Sequence, residues 1–219
     1  MSASLRLSTA LLVSQLSDIV TLTPGRGNAL LAADTVREHL TGHRVMRWLA
    51  PDTATANQLG TDLTLLIEHL LEHGGVVDMF DDRSALAVWT PAVDDQGPLP
   101  PLATLRRSSV DPVYAERCAA LEAILRTSAP ARDGHLLLVM ATKTDVVSPV
   151  RVWTLLHRHH QDLDTERLTG HAVALDPATR WLMHRHGYTS GRPGGRLPNG
   201  TPWWPLRREP LTTHPTRGA

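Results

Sequence analysis

Leu59, Leu63, Leu66, Ile67, Leu70 and Leu71 recur at intervals of three and four residues, the repeat of a single helix face. Asp52 and Thr53 are N-cap candidates and Gly74-Gly75 is a stop, so the pattern predicts a helix over Ala54–His73. Directly after it, Val76–Phe80 and Ala85–Thr90 are short β-prone runs joined by the turn-like Asp81-Asp82-Arg83-Ser84, which predicts a hairpin. Upstream, Leu11, Leu12, Leu16 and Ile19 give helical spacing over Thr9–Val20, after a Leu5-Arg6-Leu7 segment that reads as a short strand or a helix lead-in. Thr23–Asn28 (TPGRGN) reads as a loop. A short helix over Thr35–Leu40 follows Asp34. Downstream, Pro91–Pro101 is rich in Pro, Asp and Gly and reads as a surface loop. Helices are predicted at Leu102–Arg107 and Pro112–Arg126, with a loop at Pro130–Gly134.

The second half alternates apolar runs with helices. HLLLVMA (His135–Ala141) is followed by the loop TKTDVVS and the helix PVRVWTLLHRHHQDL. LTGHAVAL (Leu168–Leu175), the helix DPATRWLMHRH and Gly187-Tyr188 complete the unit. This is the outline of a nucleotide-cofactor half-domain, in which the first loop normally cradles phosphates with glycines; here that loop holds none. The tail from Thr189 is dense in Gly and Pro and predicts a terminal hairpin about the turn Arg192–Asn199. Pro198, Pro202 and Pro205 would confine its pieces to sheet edges or irregular structure, and the chain is expected to fray beyond Arg208.

Composition narrows the partners. Lys plus Arg and Asp plus Glu each number 22. Without a basic surplus, a nucleic-acid surface or a polybasic membrane surface is not expected. No apolar run reaches the roughly 20 residues that span a bilayer. A single cysteine, Cys118, excludes an internal disulfide and fits a reducing compartment. The absence of a recognisable leader adds to the expectation of a cytoplasmic protein. One domain over residues 1–210 with a disordered tail at 211–219 accounts for the length.

From His43 to Pro210 the chain resembles the GNAT superfamily of acyl-CoA-dependent N-acyltransferases. The resemblance is carried by HRVMRWLAPD, by EHGGVVDMFDDRSALAVWTPA with its W-x-P (Trp89, Pro91), by RHGY (Arg185–Tyr188) in place of R-x-G-F, and by PWWPLRREP as a terminal strand. It implies an α/β fold: a mixed, mostly antiparallel sheet flanked by helices and splayed between its fourth and fifth strands. It also implies an acyl-CoA donor along the fourth strand, on Met140, Ala141 and Thr142. The donor's diphosphate would lie on the following loop and helix start, on Ser148, Val150, Arg151 and Val152.

Two departures weaken that cofactor assignment. Family members carry Q/R-x-x-G-x-G/A where this chain has Val147-Ser148-Pro149-Val150-Arg151-Val152. Glycines admit a phosphate close to backbone amides; valines add a branched side chain there, and Pro149 removes an N–H. Arg151 and Lys143 are the cations that would compensate, though both also read as solvated surface charges. The second departure is Met183, which stands where many members place a tyrosine that protonates the leaving thiolate.

Twelve histidines supply candidate proton-transfer groups. His135 opens the fourth strand and His171 lies in the fifth, both expected in the gap where donor and acceptor meet; His184 neighbours Met183. The alternative for each is a half-buried imidazole bonded to backbone. His157, His159 and His160 read as an exposed basic face, and no metal is expected. His69-Leu70-Leu71-Glu72-His73 matches H-x-x-E-H, an inverted zinc-peptidase pattern, but His73-Gly74 also reads simply as a helix stop. Trp89 and Trp203 are candidate walls of an apolar substrate pocket, with core packing as the alternative. Three functions follow. One is acyl transfer from acyl-CoA to a small-molecule amine. Another is CoA-independent cyclisation, dehydration or decarboxylation in a biosynthetic pathway. The last is non-catalytic small-molecule binding. Apolar edge strands in the terminal hairpin are compatible with a homodimer.

Overall fold

The computed structural model describes residues 18–92, 111–129, 133–144 and 148–211. Its elements are β1 (Ile19–Thr21), α1 (Arg26–Leu40), α2 (Arg44–Leu49), α3 (Thr53–Glu72), β2 (Val76–Phe80), β3 (Ala85–Pro91), α4 (Pro112–Ser128), β4 (Gly134–Thr142), α5 (Ser148–Glu166), β5 (Thr169–Ala174), α6 (Pro177–Arg185), β6 (Gly195–Arg196) and β7 (Pro202–Arg208). The strand order is β1-β2-β3-β4-β5-β7-β6. Every pairing is antiparallel except β4 with β5.

Local chemistry starts and stops the helices. Asp52 accepts from the Thr55 amide, and Thr55 answers with a capping-box contact. α4 and α6 each open on an Asp-Pro pair: Asp111 caps the Tyr114 amide and Asp176 caps the Thr179 amide, while Pro112 and Pro177 occupy positions that need no N–H. α3 and α6 run out into Gly74 and Gly187, both at positive φ, a conformation that favours glycine.

The alternation of the central strands splits the core between two faces. Leu86, Val88 and Leu136 pack beneath α1 and α3, where Ala29, Ala32 and Ala33 let α1 lie close. Ala85, Ala87, Trp89 and Leu137 pack beneath α5 and α6 against Leu155, Leu156 and Met183. A third cluster joins α2, α3 and α4 through Val45, Leu49, Leu59, Tyr114 and Cys118.

Several expectations are corrected. Ile19–Thr21 pairs with β2 as a strand, where helical spacing was read through Val20. α1 begins at Arg26, nine residues ahead of the expected Thr35 and inside the expected loop. β7 pairs with β6 at Pro202 and Trp203 and with β5 from Trp204 to Arg208, so among the described strands Pro205 meets a partner, Val173, on one side only, as expected of a proline. Leu5–Leu7, most of the Thr9–Val20 segment, most of the Pro91–Pro101 loop, the Leu102–Arg107 helix and residues 212–219 lie outside the described residues. Leu211 is anchored, its amide donating to Asp164 Oδ1 at 2.8 Å. No described helix is long and apolar enough to cross a membrane.

Candidate functional site

β4 and β5 are joined at one end and part at the other. Their register runs from Gly134↔Thr169 through His135↔Gly170 and Leu136↔His171 to Leu137↔Ala172, and stops. β4 continues beside β3 as far as Ala85↔Thr142, and β5 beside β7 as far as Ala174↔Trp204. Leu138–Thr142 therefore carry no strand partner on the side facing β5. The parting coincides with a β-bulge: Val88 opposes Val139 and Trp89 opposes Leu137, which leaves Leu138 without a counterpart. A bulge bends its strand and increases local twist. Leu138 and Val139 both pack toward the α1/α3 face, where they form part of the wall of a cavity of about 120 Å³ bounded by α1, α2, α3 and α4.

The residues expected to hold the donor fall around this opening. Met140 packs toward α5 and α6, Ala141 is buried beneath α1 and α3, and the Thr142 hydroxyl donates to the Lys143 carbonyl. Ser148 opens α5. Val150 is exposed in its first turn. Arg151 reaches Asp82, in the β2–β3 turn, at 3.4 Å. Val152 is a core residue packed with Leu155 and Leu156, so its side chain points away from solvent at the helix start. Met183 is also buried in that core.

The catalytic candidates lie elsewhere. His135 and His171 sit in the paired half of β4 and β5, at the closed end and not in the gap where they were expected. His135 Nδ1 is 3.0 Å from His159 Nε2, and His171 Nε2 is 3.0 Å from the Thr169 hydroxyl. Burial lowers the pKa of both imidazoles. His184 is engaged at both nitrogens: Nδ1 lies 2.7 Å from the Tyr188 carbonyl, and Nε2 accepts from Arg180 Nε.

Trp89 is 0% exposed and stacks on His159 with ring centroids 4.1 Å apart, so it joins His135 through that ring but lines no open pocket. Trp203 lies over Gly195, where an added Cβ would come within 2.8 Å of its Nε1. His69 and His73 stack on one another. Among the described residues no group of three or more His, Cys, Asp or Glu side chains is placed to hold a metal.

Two features escaped the sequence reading. His159 and His160 are 2% and 5% exposed, not part of a basic face. Burial drives both pKa values down to about 3, helped for His159 by His135 and His160 and for His160 by Arg208 and His186. His160 Nε2 meets the Tyr188 hydroxyl at 3.1 Å. The signal was available: Val152, Leu155, Leu156, His159 and Leu163 fall on one helical stripe. The other feature is Asp62, buried on α3, whose carboxylate accepts from Tyr114 Oη and Gln58 Nε2 at 2.8 and 2.9 Å.

No known protein family matches the sequence, and no curated protein matches it. Solved structures do. The C-terminal condensation domain of Ebony, in complex with β-alanyl-dopamine, superposes with a TM-score of 0.58 at 12% identity, over 89% of this chain and 100% of that one. The mosquito arylalkylamine N-acetyltransferase like 5b gives 0.58 at 10% identity, over 88% and 100%. The histone acetyltransferase HPA2 and related acetyltransferase from Corynebacterium glutamicum gives 0.52 at 16% identity, over 90% and 98%. At these identities the likeness is one of fold. The chain shares with these structures the fold of a mixed sheet that is parallel only between β4 and β5 among the described strands.

Proposed function

We propose that this GNAT-fold chain is an N-acyltransferase that moves an acyl group from an acyl-CoA to a small-molecule amine across the β4–β5 opening. The observation that carries the reading is the parting of β4 from β5 at the Leu138 bulge, which leaves a backbone edge free beside an apolar cavity. The residues present fit the donor unevenly. The edge of Leu138–Thr142 that faces β5 suits an amide-bearing chain, and backbone amides there would stabilise a carbonyl oxygen that gains charge. The α5 start suits a diphosphate less well, because Pro149 lacks an N–H and Val150 stands on the first turn. Arg151, which pairs with Asp82 at 3.4 Å, is a cation that a phosphate there would draw on.

The donor supplies an electrophilic thioester carbonyl. The amine forms the new C–N bond as the C–S bond breaks; nitrogen gives up a proton and sulfur gains one. Met183 cannot deliver that proton. The closed-end positions of His135 and His171 favour a structural role, and turnover within about threefold of the parent in His135→Ala and His171→Ala is the expected result. Calorimetric titration with CoA and an acyl-CoA series, followed by a thiol-release assay over an amine panel, tests the whole reading. Micromolar binding and amine-dependent thiol release are expected. No heat and no thermal shift across the series would overturn it.

The burial of Met183 and the make-up of the α5 start favour one alternative, a CoA-independent reaction on the same fold. The Ebony relative is itself described as a condensation domain. A product formed without CoA is the mark of that alternative; a ligand recovered unchanged is the mark of a binding module.

A further inference from the structure

Leu138 and Val139 are consecutive, and in a regular strand one of them would face α5. At the bulge both turn toward α1 and α3, where they wall one side of the cavity. Its other walls are helical stripes: Leu59, Leu63 and Leu66 on α3, and Leu121 and Leu125 on α4. α4 rests on β5 and α2, which leaves the space behind this part of β4 unfilled. The carboxylates in the wall are turned to partners. Asp62 accepts from Tyr114 Oη and Gln58 Nε2, and Arg126 donates twice to Glu122 Oε1. What the cavity offers an occupant is therefore aliphatic surface. Size limits that occupant. An apolar cavity of roughly 150 Å³ accepts the six carbons of benzene; this one, at about 120 Å³, has room for about four or five.

We propose that the cavity receives the acyl chain of the donor and selects a short aliphatic group of about four or five carbons, butyryl or isovaleryl in type, over acetyl and over long chains. This rests on the acyl-transfer reading and adds to it the class of donor. α5 follows β4 and so begins at the open end of the β4–β5 pair. A donor laid along Leu138–Thr142 from that end brings its thioester carbonyl to the bulge. The acyl chain lies beyond that carbonyl, and the aliphatic space adjoining the bulge is this cavity, on the face of β4 opposite α5. Acetyl would leave the leucines of α3 and α4 uncovered, and each methylene added within the cavity is worth about fourfold in affinity. Octanoyl has seven carbons beyond its carbonyl and exceeds the volume.

The test is calorimetric titration of the full chain, with no amine present, against acetyl-, butyryl-, isovaleryl- and octanoyl-CoA. Affinity should rise about tenfold or more from acetyl- to butyryl-CoA, hold for isovaleryl-CoA, and fall back by about tenfold for octanoyl-CoA. Leu121→Ala enlarges the cavity from α4. It should raise octanoyl-CoA about tenfold relative to butyryl-CoA and leave acetyl-CoA within about twofold. If that variant does not fold, Leu63→Ala makes the same change from α3. Affinity that ignores chain length, or that climbs through octanoyl-CoA, overturns the acyl pocket and leaves acyl transfer standing. So does an octanoyl-to-butyryl ratio that neither variant moves. Isobutylamine that reduces butyryl-CoA to the affinity of acetyl-CoA would assign the cavity to the acceptor and overturn the proposal too. No binding by any of the four donors overturns the acyl-transfer reading and the pocket together.

Discussion

Mild acid should destabilise this protein before the carboxylates with lowered pKa values titrate, because two neutral imidazoles are buried in the core. His159 and His160 have folded pKa values near 3 against about 6.5 unfolded. A base whose pKa is depressed by folding binds fewer protons folded than unfolded. Its contribution is complete above the unfolded pKa and is lost as pH falls from about 6.5 toward 3. Moving from pH 7.5 to pH 5 therefore costs about 1.5 pH units of linkage for each ring, or ~2 kcal/mol, and ~4 kcal/mol for the pair. In a domain of this size each kcal/mol lowers Tm by about 2–4 °C, so a drop of about 8–16 °C is expected. The carboxylates held below the ordinary aspartate range, Asp52, Asp164 and Asp176, lose their contributions only at lower pH. Asp78, raised by burial, acts with the opposite sign and trims the slope. His135, His171 and His186, lowered by burial, act with the same sign. Thermal melts at half-unit steps from pH 7.5 to 5 provide the curve. His160→Gln keeps a partner for the Tyr188 hydroxyl, removes one titration and should take away about half of the drop. A wild-type Tm that stays flat between pH 7 and 5, or a His160→Gln slope equal to the parent's, would refute the claim that these rings are buried neutral.

Three further outcomes test separate parts of the structure. Gly194→Ala would drive a Cβ into the Trp203 carbonyl oxygen, whereas Gly191→Ala meets nothing within 4 Å; denaturant midpoints should fall by the equivalent of about 2 kcal/mol or more for the first and within ±0.5 kcal/mol for the second. Arg208 makes two hydrogen bonds to Asp164 at 2.8 and 2.7 Å, and Arg208→Ala should cost about 3 kcal/mol in urea unfolding, with Arg208→Met recovering part of it. If Arg151 serves a phosphate, Asp82→Ala should tighten CoA binding a few-fold by removing its competitor, and Arg151→Ala should weaken it about tenfold; equal calorimetric affinities in the two variants would separate Arg151 from the donor.

What could be read from the chain was whatever chemistry is local. The α3 stripe with its Asp52 cap, the β2–β3 hairpin and the Asp-Pro starts of α4 and α6 depend on neighbours a few residues apart, and they fall close to where the sequence puts them. β1 has three residues and is a strand only because β2 lies beside it. The Leu138 bulge is a property of the β3–β4 register and leaves no mark in HLLLVMA. His159 reads as a surface residue by type, although its position on the stripe of Val152, Leu155 and Leu163 signals burial. The cavity gathers Val36, Met46, Leu59, Tyr114, Cys118 and Leu138 from five elements, and nothing short of the fold makes them neighbours.

The same distribution of interactions explains why one end of the β4–β5 pair opens. At the closed end, four residue pairs of strand register are backed by the His135–His159–Trp89 stack, the His160–Tyr188 hydrogen bond and the Arg208–Asp164 fork. Gly170 on β5 belongs to this set: an added Cβ would lie 2.9 Å from the Tyr188 hydroxyl, so the strand passes close because a side chain is missing there. Beyond Leu137 the bulge turns β4 while β5 stays paired with β7 as far as Trp204. Each strand is thus held on its far side by another partner, and the two are free to diverge on the near side. On this account the opening is set by rigid flanks and needs no ligand to hold it apart. The closed-end imidazoles act on function only through that rigidity, so acidification should cost stability and site geometry together.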